Sequence, residues 1–376
     1  MSNRIIIVSN SSSNLLNFRG KLIERLIDEK FEVLVITPKI DFTSDYQRVI
    51  SKLGASTLNI PLDRTSLNPY RDFKTYLSLK YIFAKFKPDI VLAYTAKPII
   101  YSGLAIGRNS KINFFPNLTG LGYGFTDQSG IKRKLINFIL RILYKLSLKS
   151  STAIIFQNPE DKFLFEKLNL TNNKKTFIVN GSGVDLNFFT PTILPAKPIF
   201  LMLSRLVADK GVLEYCKAAK EIRTKFHDTK FQLAGALDPN PSGLNYDQIK
   251  KFVENKDIEY LGYVDDVRSL INKCKFYVLP SYREGTPRSV LEAMSIGRPI
   301  ITTNTTGCKE TVIDGINGLL VPIKSTISLV EAIKKMLKFD EEKINKMAKE
   351  SIKLVREKYD VSKVNQNIIE ILKLKK

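Results

Sequence analysis

Histidine is nearly missing from this chain of 376 residues: His227 is the one example, placed in a Lys-rich helix end. Its solitude argues against Ser-His-Asp chemistry and against histidine-based metal sites. Cysteine is scarce as well. Cys216, Cys274 and Cys308 are far apart and form no C-x-x-C, so neither a zinc site nor a disulfide framework is expected, in keeping with a reducing cytosol. No apolar run reaches the ~18 residues that a membrane span requires. The run Arg4–Val8 is shaped like a first strand and is too short for a signal-peptide core. No G-x-G-x-x-G follows that strand, and a dehydrogenase reading loses its main support. Acidic residues are under-represented: 37 Asp and Glu face 59 Lys and Arg, a net charge of +22. Residues 73–149 hold 13 basic residues and two acidic ones, Asp89 and Asp127. Such a field attracts polyanions, whether nucleic acid, anionic lipid or phosphorylated substrates. For nucleic acid the charge is the sole cue, with no helix-turn-helix, RRM or zinc signature beside it.

What is present is a long alternation of short β-prone runs and amphipathic segments. Strands are predicted at Ile5–Ser9, Glu32–Thr37, Ser56–Ile60, Pro88–Ala93, Lys111–Phe115 and Ala153–Gln157. Helices are predicted over Asn14–Lys30, Phe73–Phe86, Pro98–Gly107 and Ile131–Lys149. A second series runs from strand Ile199–Leu203 through Lys230–Gly235, Ile258–Tyr260, Phe276–Leu279 and Ile300–Thr302 to Gly318–Val321, and Lys-rich helices close the chain. Alternation of this kind means doubly wound, mainly parallel sheets. The expected organisation is an N-terminal Rossmann-like domain over 1–190, a proline-rich linker over 191–198 and a second such domain over 199–355, with ligand bound in the cleft between them. A terminal helix over 356–376 is expected to pack back on the first domain.

Two loops carry the chemistry. Ser281-Tyr-Arg-Glu-Gly-Thr-Pro-Arg-Ser-Val-Leu-Glu292 follows a buried strand and opens a helix, with Thr286 as N-cap, Pro287 at the first helical position and Gly297 as C-cap. A helix start beyond a strand's C-terminal end is an anion site. Glu284 and Glu292 beside it suit a ligand that also offers hydroxyls, as a sugar nucleotide does; the plain alternative is a capped surface helix with two solvated glutamates. Ser204-Arg-Leu-Val-Ala-Asp-Lys-Gly211 places Arg205 and Lys210 at a second strand-to-helix turn, where they can neutralise a leaving diphosphate. In the first half, the loop Pro116–Phe125 has three glycines in five residues and suits a lid or an acceptor loop. The helix Ile131–Lys149 reads either as a core helix with a solvated basic edge or as a basic, greasy surface that docks at a membrane.

Ser204-Arg205…Lys210-Gly211 paired with Glu284-Gly-Thr-Pro-Arg-Ser-Val-Leu-Glu292 resembles the retaining GT-B glycosyltransferases of family four. The flanks Asn180–Asp185, Gly262–Asp266, Gly297–Ile300 and Asn317–Pro322 agree. The resemblance implies two Rossmann-like domains, the second holding a UDP-sugar and the first an acceptor. Arg205 and Lys210 would bind the donor diphosphate and Glu292 the ribose hydroxyls. Glu284, with the backbone of Gly285, Thr286 and Pro287, would contact and orient the donor sugar, and Val264 would border the base. Glu284, Arg205 and Lys210 are the catalytic candidates. Transfer in the family retains configuration and commonly needs no metal or other cofactor; no D-x-D motif stands in this sequence. Two features depart from the pattern: Asn10–Ser13 replaces the usual Gly-Gly turn, and the N-terminal half has no histidine, its neighbourhood falling near Tyr94–Pro98.

The Arg-Glu-Gly-Thr-Pro-Arg form, Phe18-Arg19-Gly20 and the loop Asn117–Gly122 resemble a narrower set of bacterial transferases that add a HexNAc or hexose to a polyprenyl-diphosphate-linked saccharide in O-antigen, capsule or protein-glycan assembly. By that resemblance the acceptor would meet Arg19, Lys97, Asn117, Thr119, Gly120 and Tyr123, on a protein peripheral to the inner face of the cell membrane. Arg19, Lys97, Lys132, Arg133 and Lys134 are the candidates for contact with an acceptor diphosphate at an anionic bilayer. A sugar-nucleotide 2-epimerase on the same fold is the rival enzyme class; the missing histidine speaks against it.

Overall fold

The computed structural model describes residues 3–11, 15–38, 45–63, 68–121, 131–238 and 242–375. The chain forms two compact units, Met1–Ser182 with Ser362–Lys376, and Gly183–Val361.

The first unit alternates β1 (Arg4–Val8), α1 (Leu15–Asp28), β2 (Glu32–Pro38), α2 (Asp45–Lys52), β3 (Ser56–Ile60), α3 (Pro69–Phe86), β4 (Ile90–Tyr94), α4 (Ala96–Ile106), β5 (Asn113–Leu118), α5 (Ile131–Ser147), β6 (Ala153–Phe156), α6 (Pro159–Lys167) and β7 (Lys175–Ile178). The strands pair in parallel in the order β3-β2-β1-β4-β5-β6-β7. Because side chains alternate along a strand, the sheet carries two cores. Ile5, Ile7, Val33, Val35, Leu92 and Phe115 face α1. Ile6, Val8, Leu34, Ile36, Val91 and Phe114 face the layer of α3, α4 and α5. Burial on both faces is why these strands read as unbroken apolar runs.

The second unit continues with β8 (Ile199–Leu203), α7 (Val212–Arg223), β9 (Lys230–Ala234), α8 (Asp247–Glu254), β10 (Glu259–Tyr260), α9 (Arg268–Lys273), β11 (Phe276–Leu279), α10 (Arg288–Ile296), β12 (Ile300–Thr303), β13 (Gly318–Val321), α11 (Thr326–Lys338) and α12 (Glu341–Lys358). Its parallel order is β10-β9-β8-β11-β12-β13. The winding reverses between β8 and β11, and the loops leaving those strands diverge at the sheet's C-terminal edge, where open α/β sheets hold ligands. A final helix, α13 (Val361–Leu372), buries Val364, Ile368, Ile369 and Leu372 in the α1-side core of the first unit. Each such side chain contributes about 1.5–3 kcal/mol by burial.

Three expectations change. Residues 183–190 belong to the second unit: Val184 donates to the Tyr359 carbonyl at 2.9 Å and Val361 donates to the Val184 carbonyl at 3.1 Å. The proline-rich stretch is pinned on that unit rather than left as a linker. Thr192 N–H donates to the Ile296 carbonyl at 3.1 Å, and the fully buried Arg298 donates to the Thr192 hydroxyl at 2.5 Å. Pro287, not Thr286, is the N-cap of α10, and the helix begins at Arg288. The elements α2, α6 and β7 are additional; β7 is an edge strand whose side chains stay largely exposed, which removes the apolar pattern that announces a strand.

Candidate active site

Three loops at the C-terminal edge of the second sheet are locked to one another. After β8 the chain runs through a short 3-10 turn, Ala208–Lys210, to Gly211, where φ is 75° and a Cβ would lie 2.2 Å from the Pro280 carbonyl. Only glycine permits that approach. Tyr282 N–H donates to the Asp209 carbonyl at 2.8 Å, and the Ser281 hydroxyl to the same oxygen at 3.2 Å. The loop after β12 completes the set: Thr305 Oγ1 donates to the Tyr282 carbonyl at 3.0 Å, and Glu284 N–H to the Thr306 carbonyl at 2.9 Å. At Gly307 φ is 82° and a Cβ would lie 2.3 Å from the Glu284 carbonyl. Hydrogen bonds from three loops thus fix the backbone that carries Lys210 and Glu284.

Three cations of this edge each meet a carboxylate. Lys210 Nζ pairs with Glu284 Oε1, the two side chains 22% and 13% exposed. Arg205 Nη1 pairs with Asp238, whose side chain is nearly buried while the guanidinium is half-exposed. Arg288 Nε donates to Glu292 Oε1 at 2.8 Å, one turn along α10, with both side chains largely buried. Burial holds the Glu292 carboxyl above the ordinary carboxylate range, and Arg288 partly offsets it. Beneath Glu284, burial pushes the Cys308 thiol up to about 12, which leaves it a neutral wall. The Arg205 side chain stays 46% exposed, and a guanidinium has five N–H donors, more than the Asp238 pair uses, so it can also grip an oxyanion. Gly285 and Pro287 are buried and Thr286 is half-buried between the two glutamates. Val264 is half-buried beside the exposed Tyr263, in the turn after β10; that turn is tied to the loop after β9 by the Gly235 N–H to Gly262 carbonyl bond of 2.7 Å.

In the first unit the predicted residues fall into different settings. Arg19 is buried on α1: its guanidinium lies 3.7 Å from the centre of the Tyr94 ring and donates to the Ser182 hydroxyl at 2.8 Å. Asn117 is the register partner of Tyr94 on β5. Both are buried, and neither the Asn117 amide nor the Tyr94 hydroxyl has a hydrogen-bond partner among the described residues. Thr119 and Gly120 follow at the end of β5, half-buried. Tyr123 lies outside the described residues. Lys97 is held by Asp72 at 2.7 Å with both side chains 16% exposed. Neither Arg19 nor Lys97 is therefore a surface cation open to a bilayer, because each charge is taken up inside its own unit. Lys132 and Arg133 begin α5 with side chains outside the described set, and Lys134 is exposed on that helix.

Comparison with known proteins decides which family the chain belongs to. Residues 4–158 match the family model for glycosyl transferase 4-like domains, and residues 185–354 match that for glycosyl transferases group 1. The chain is 30% identical over 357 residues to the N,N'-diacetylbacillosaminyl-diphospho-undecaprenol alpha-1,3-N-acetylgalactosaminyltransferase of Campylobacter jejuni, covering 91% of each chain. The chain belongs to the family-four glycosyltransferases. It is also 26% identical to the UDP-Gal:alpha-D-GlcNAc-diphosphoundecaprenol alpha-1,3-galactosyltransferase of Escherichia coli, over 87% of this chain and 84% of that one. In fold the transferase is GT-B. It matches the sucrose-phosphate synthase of Thermosynechococcus elongatus with a TM-score of 0.80 at 18% identity, covering 98% of both chains. It matches Anabaena HepE, solved in complex with UDP and glucose, with a TM-score of 0.75 at 17% identity, over 98% of this chain and 99% of that one.

Reading the sequence gave no role to three residues that the structure brings to the candidate sites. Arg288 stands four residues before Glu292, an i,i+4 spacing that signals a helical ion pair. Asp238 follows β9 and meets Arg205 across 33 residues of chain, a pairing that only the sheet order creates. Tyr94 ends β4, where its apolar strand context masks its part in holding Arg19.

Proposed function

We propose that the enzyme transfers N-acetylhexosamine from a UDP-sugar to a polyprenyl-diphosphate-linked saccharide, with retention and without a metal or other cofactor, at the inner face of the cell membrane. The observation that carries this reading is the set of cation–carboxylate pairs fixed at the β8 and β11 edge of the second sheet. Arg205 and Lys210 take the donor diphosphate and neutralise it as it leaves. Glu292 accepts from the ribose hydroxyls. Glu284, with the backbone of Gly285, Thr286 and Pro287, orients the donor sugar, and Val264 borders the base. The bond from the anomeric carbon to the diphosphate breaks, the bond to the acceptor oxygen forms on the same face, and the acceptor proton passes to a diphosphate oxygen. In the first unit Asn117, Thr119 and Gly120, with Tyr123 beyond them, contact the acceptor, over a floor of Arg19 and Tyr94.

The printed names of the Campylobacter jejuni and Escherichia coli relatives support the lipid-linked acceptor. Both also give an alpha product linkage, which from an alpha-linked nucleotide sugar is retention. The test is UDP release across a panel of UDP-sugars, with a short polyprenyl-diphosphate saccharide as acceptor and NMR of the product's anomeric centre. UDP-HexNAc is expected to be the fastest donor, with an alpha product and no effect of EDTA. A beta product would overturn retention, loss of turnover in EDTA would overturn metal independence, and a faster hexose donor would overturn the sugar.

A further inference from the structure

The helix layer of the first unit leaves apolar side chains in solvent in an ordered way. The middle helix α4 has no exposed residue, and α3 and α5 flank it as two ridges over the same core. On α3, Tyr70, Phe73, Leu77 and Tyr81 are 46 to 67% exposed at helical spacing. On α5, Leu135, Phe138, Ile139, Ile142 and Leu146 are 44 to 61% exposed, while Tyr144 takes the core side, as does Leu148 just past the helix end. Single exposed hydrophobics are ordinary; two aligned stripes on one layer mark an interaction surface.

Charge identifies the partner. Lys74, Lys80 and Lys85 are exposed on α3, and Lys134, Arg141 and Lys145 on α5. Helix α5 contains no acidic residue, and the one acid of α3, Asp72, is held by Lys97. Among the described residues, Lys134, Arg141 and Lys145 have no acidic partner. Apolar stripes flanked by uncompensated cations are complementary to an anionic lipid surface.

The layer is also oriented. The Asp72–Lys97 pair joins the first turns of α3 and α4. The close approach of Gly103 to Ser147 joins the last turns of α4 and α5, so the three helices run parallel. Tyr70, Phe73, Leu135 and Phe138 therefore lie toward the sheet edge that carries Asn117 and Thr119.

We propose that α3 and α5 together dock the first unit on an anionic bilayer, the aromatic ridge of α3 at headgroup depth and the aliphatic ridge of α5 at the acyl boundary. The purpose, bringing the acceptor residues to a lipid-linked saccharide, rests on the proposed function; the surface does not. Because the chain has no tryptophan, single tryptophans report depth without background. Phe73→Trp and Phe138→Trp proteins are mixed with phosphatidylcholine vesicles with and without phosphatidylglycerol, with Ile327→Trp in the second unit as control. Both probes are expected to shift to the blue and to be quenched by brominated acyl chains on anionic vesicles only, with the control unmoved. Tyr81→Glu and Ile142→Glu are each expected to lower cosedimentation about tenfold or more while leaving UDP release with a water-soluble short-chain acceptor unchanged. An unshifted Phe73→Trp overturns the two-ridge surface, equal binding to neutral vesicles overturns its electrostatic part, and concentration-dependent dimerisation abolished by Ile142→Glu assigns the face to a second copy instead. Blue-shifted probes with no turnover on the lipid-linked acceptor leave the surface standing and remove the acceptor reading; turnover in detergent with unshifted probes does the reverse.

Discussion

Two regions of the molecule handle positive charge in opposite ways. At the edge of the second sheet Arg205, Lys210 and Arg288 each face a carboxylate, and at least one partner of every pair is largely buried. On the α5 ridge of the first unit Lys134, Arg141 and Lys145 project into solvent without acidic partners among the described residues. A buried pair fixes geometry, and desolvated charge interacts strongly over short distances. An exposed cluster acts at long range and is screened within about 8 Å at physiological salt. Paired cations therefore suit a site that must hold one diphosphate in one place. Unpaired cations suit a surface that must find a charged plane.

The largest effect that would break this comparison is at the donor edge. Arg205→Ala and Glu292→Ala proteins should stay folded, with UDP release falling by about 10²–10³ in kcat and a smaller rise in KM. Wild-type turnover in either would remove the site assignment. Next come two glycines that separate the units. Gly307→Ala forces a Cβ against the Glu284 carbonyl, and Gly103→Ala forces one to 2.4 Å from the Ser147 carbonyl. Each overpacked contact costs about 1–3 kcal/mol. Titration with UDP should show weakened binding for Gly307→Ala alone, and vesicle cosedimentation a deficit for Gly103→Ala alone. Asp238→Asn tests whether pairing aims Arg205. It should lower kcat about tenfold with little change in thermal stability, and full activity would show that Arg205 needs no partner.

The smallest effect concerns Glu292 and has a definite sign. Burial raises its folded-state pKa above the unfolded value. The stability it contributes is therefore present below the unfolded pKa and lost as pH rises through the folded one. At neutral pH the ionised carboxylate costs stability, so Glu292→Gln should raise Tm slightly while weakening UDP binding. Calorimetry across pH should show the gain shrink as pH falls into the carboxylate range. A lower Tm at pH 7 would mean that the Arg288 pair outweighs desolvation.

Much of the architecture was legible because local and global signals agree. Ile199–Leu203 and Phe276–Leu279 are buried strands with apolar β-prone residues, and Gly297 ends α10 in the left-handed conformation, φ 92°. The two loops proposed to hold the donor were legible as strand-to-helix turns for the same reason: each motif is contiguous and sits at one such turn. The edge strand β7 was not, since half-exposed strands lose the pattern. Nor was the fate of Thr190–Pro198, where three prolines look like a linker until Arg298, more than 100 residues away in sequence, is seen bonding to Thr192.

The sequence by itself determined two parallel α/β series, a pair of strand-to-helix loops carrying Arg205, Lys210, Glu284 and Glu292, for which we propose the donor role, and a basic N-terminal half. These depend on local periodicity, turn chemistry and composition. Only the tertiary structure decided that Lys210 meets Glu284 across 74 residues, that Arg205 meets Asp238, and that Arg19 and Lys97 are taken up internally. It also decided which side of α5 is wet, because an apolar side chain at helical spacing reads alike whether it enters a core or faces solvent, and packing against α4 settles it. Long-range partners are set by strand order, which no local stretch of sequence encodes.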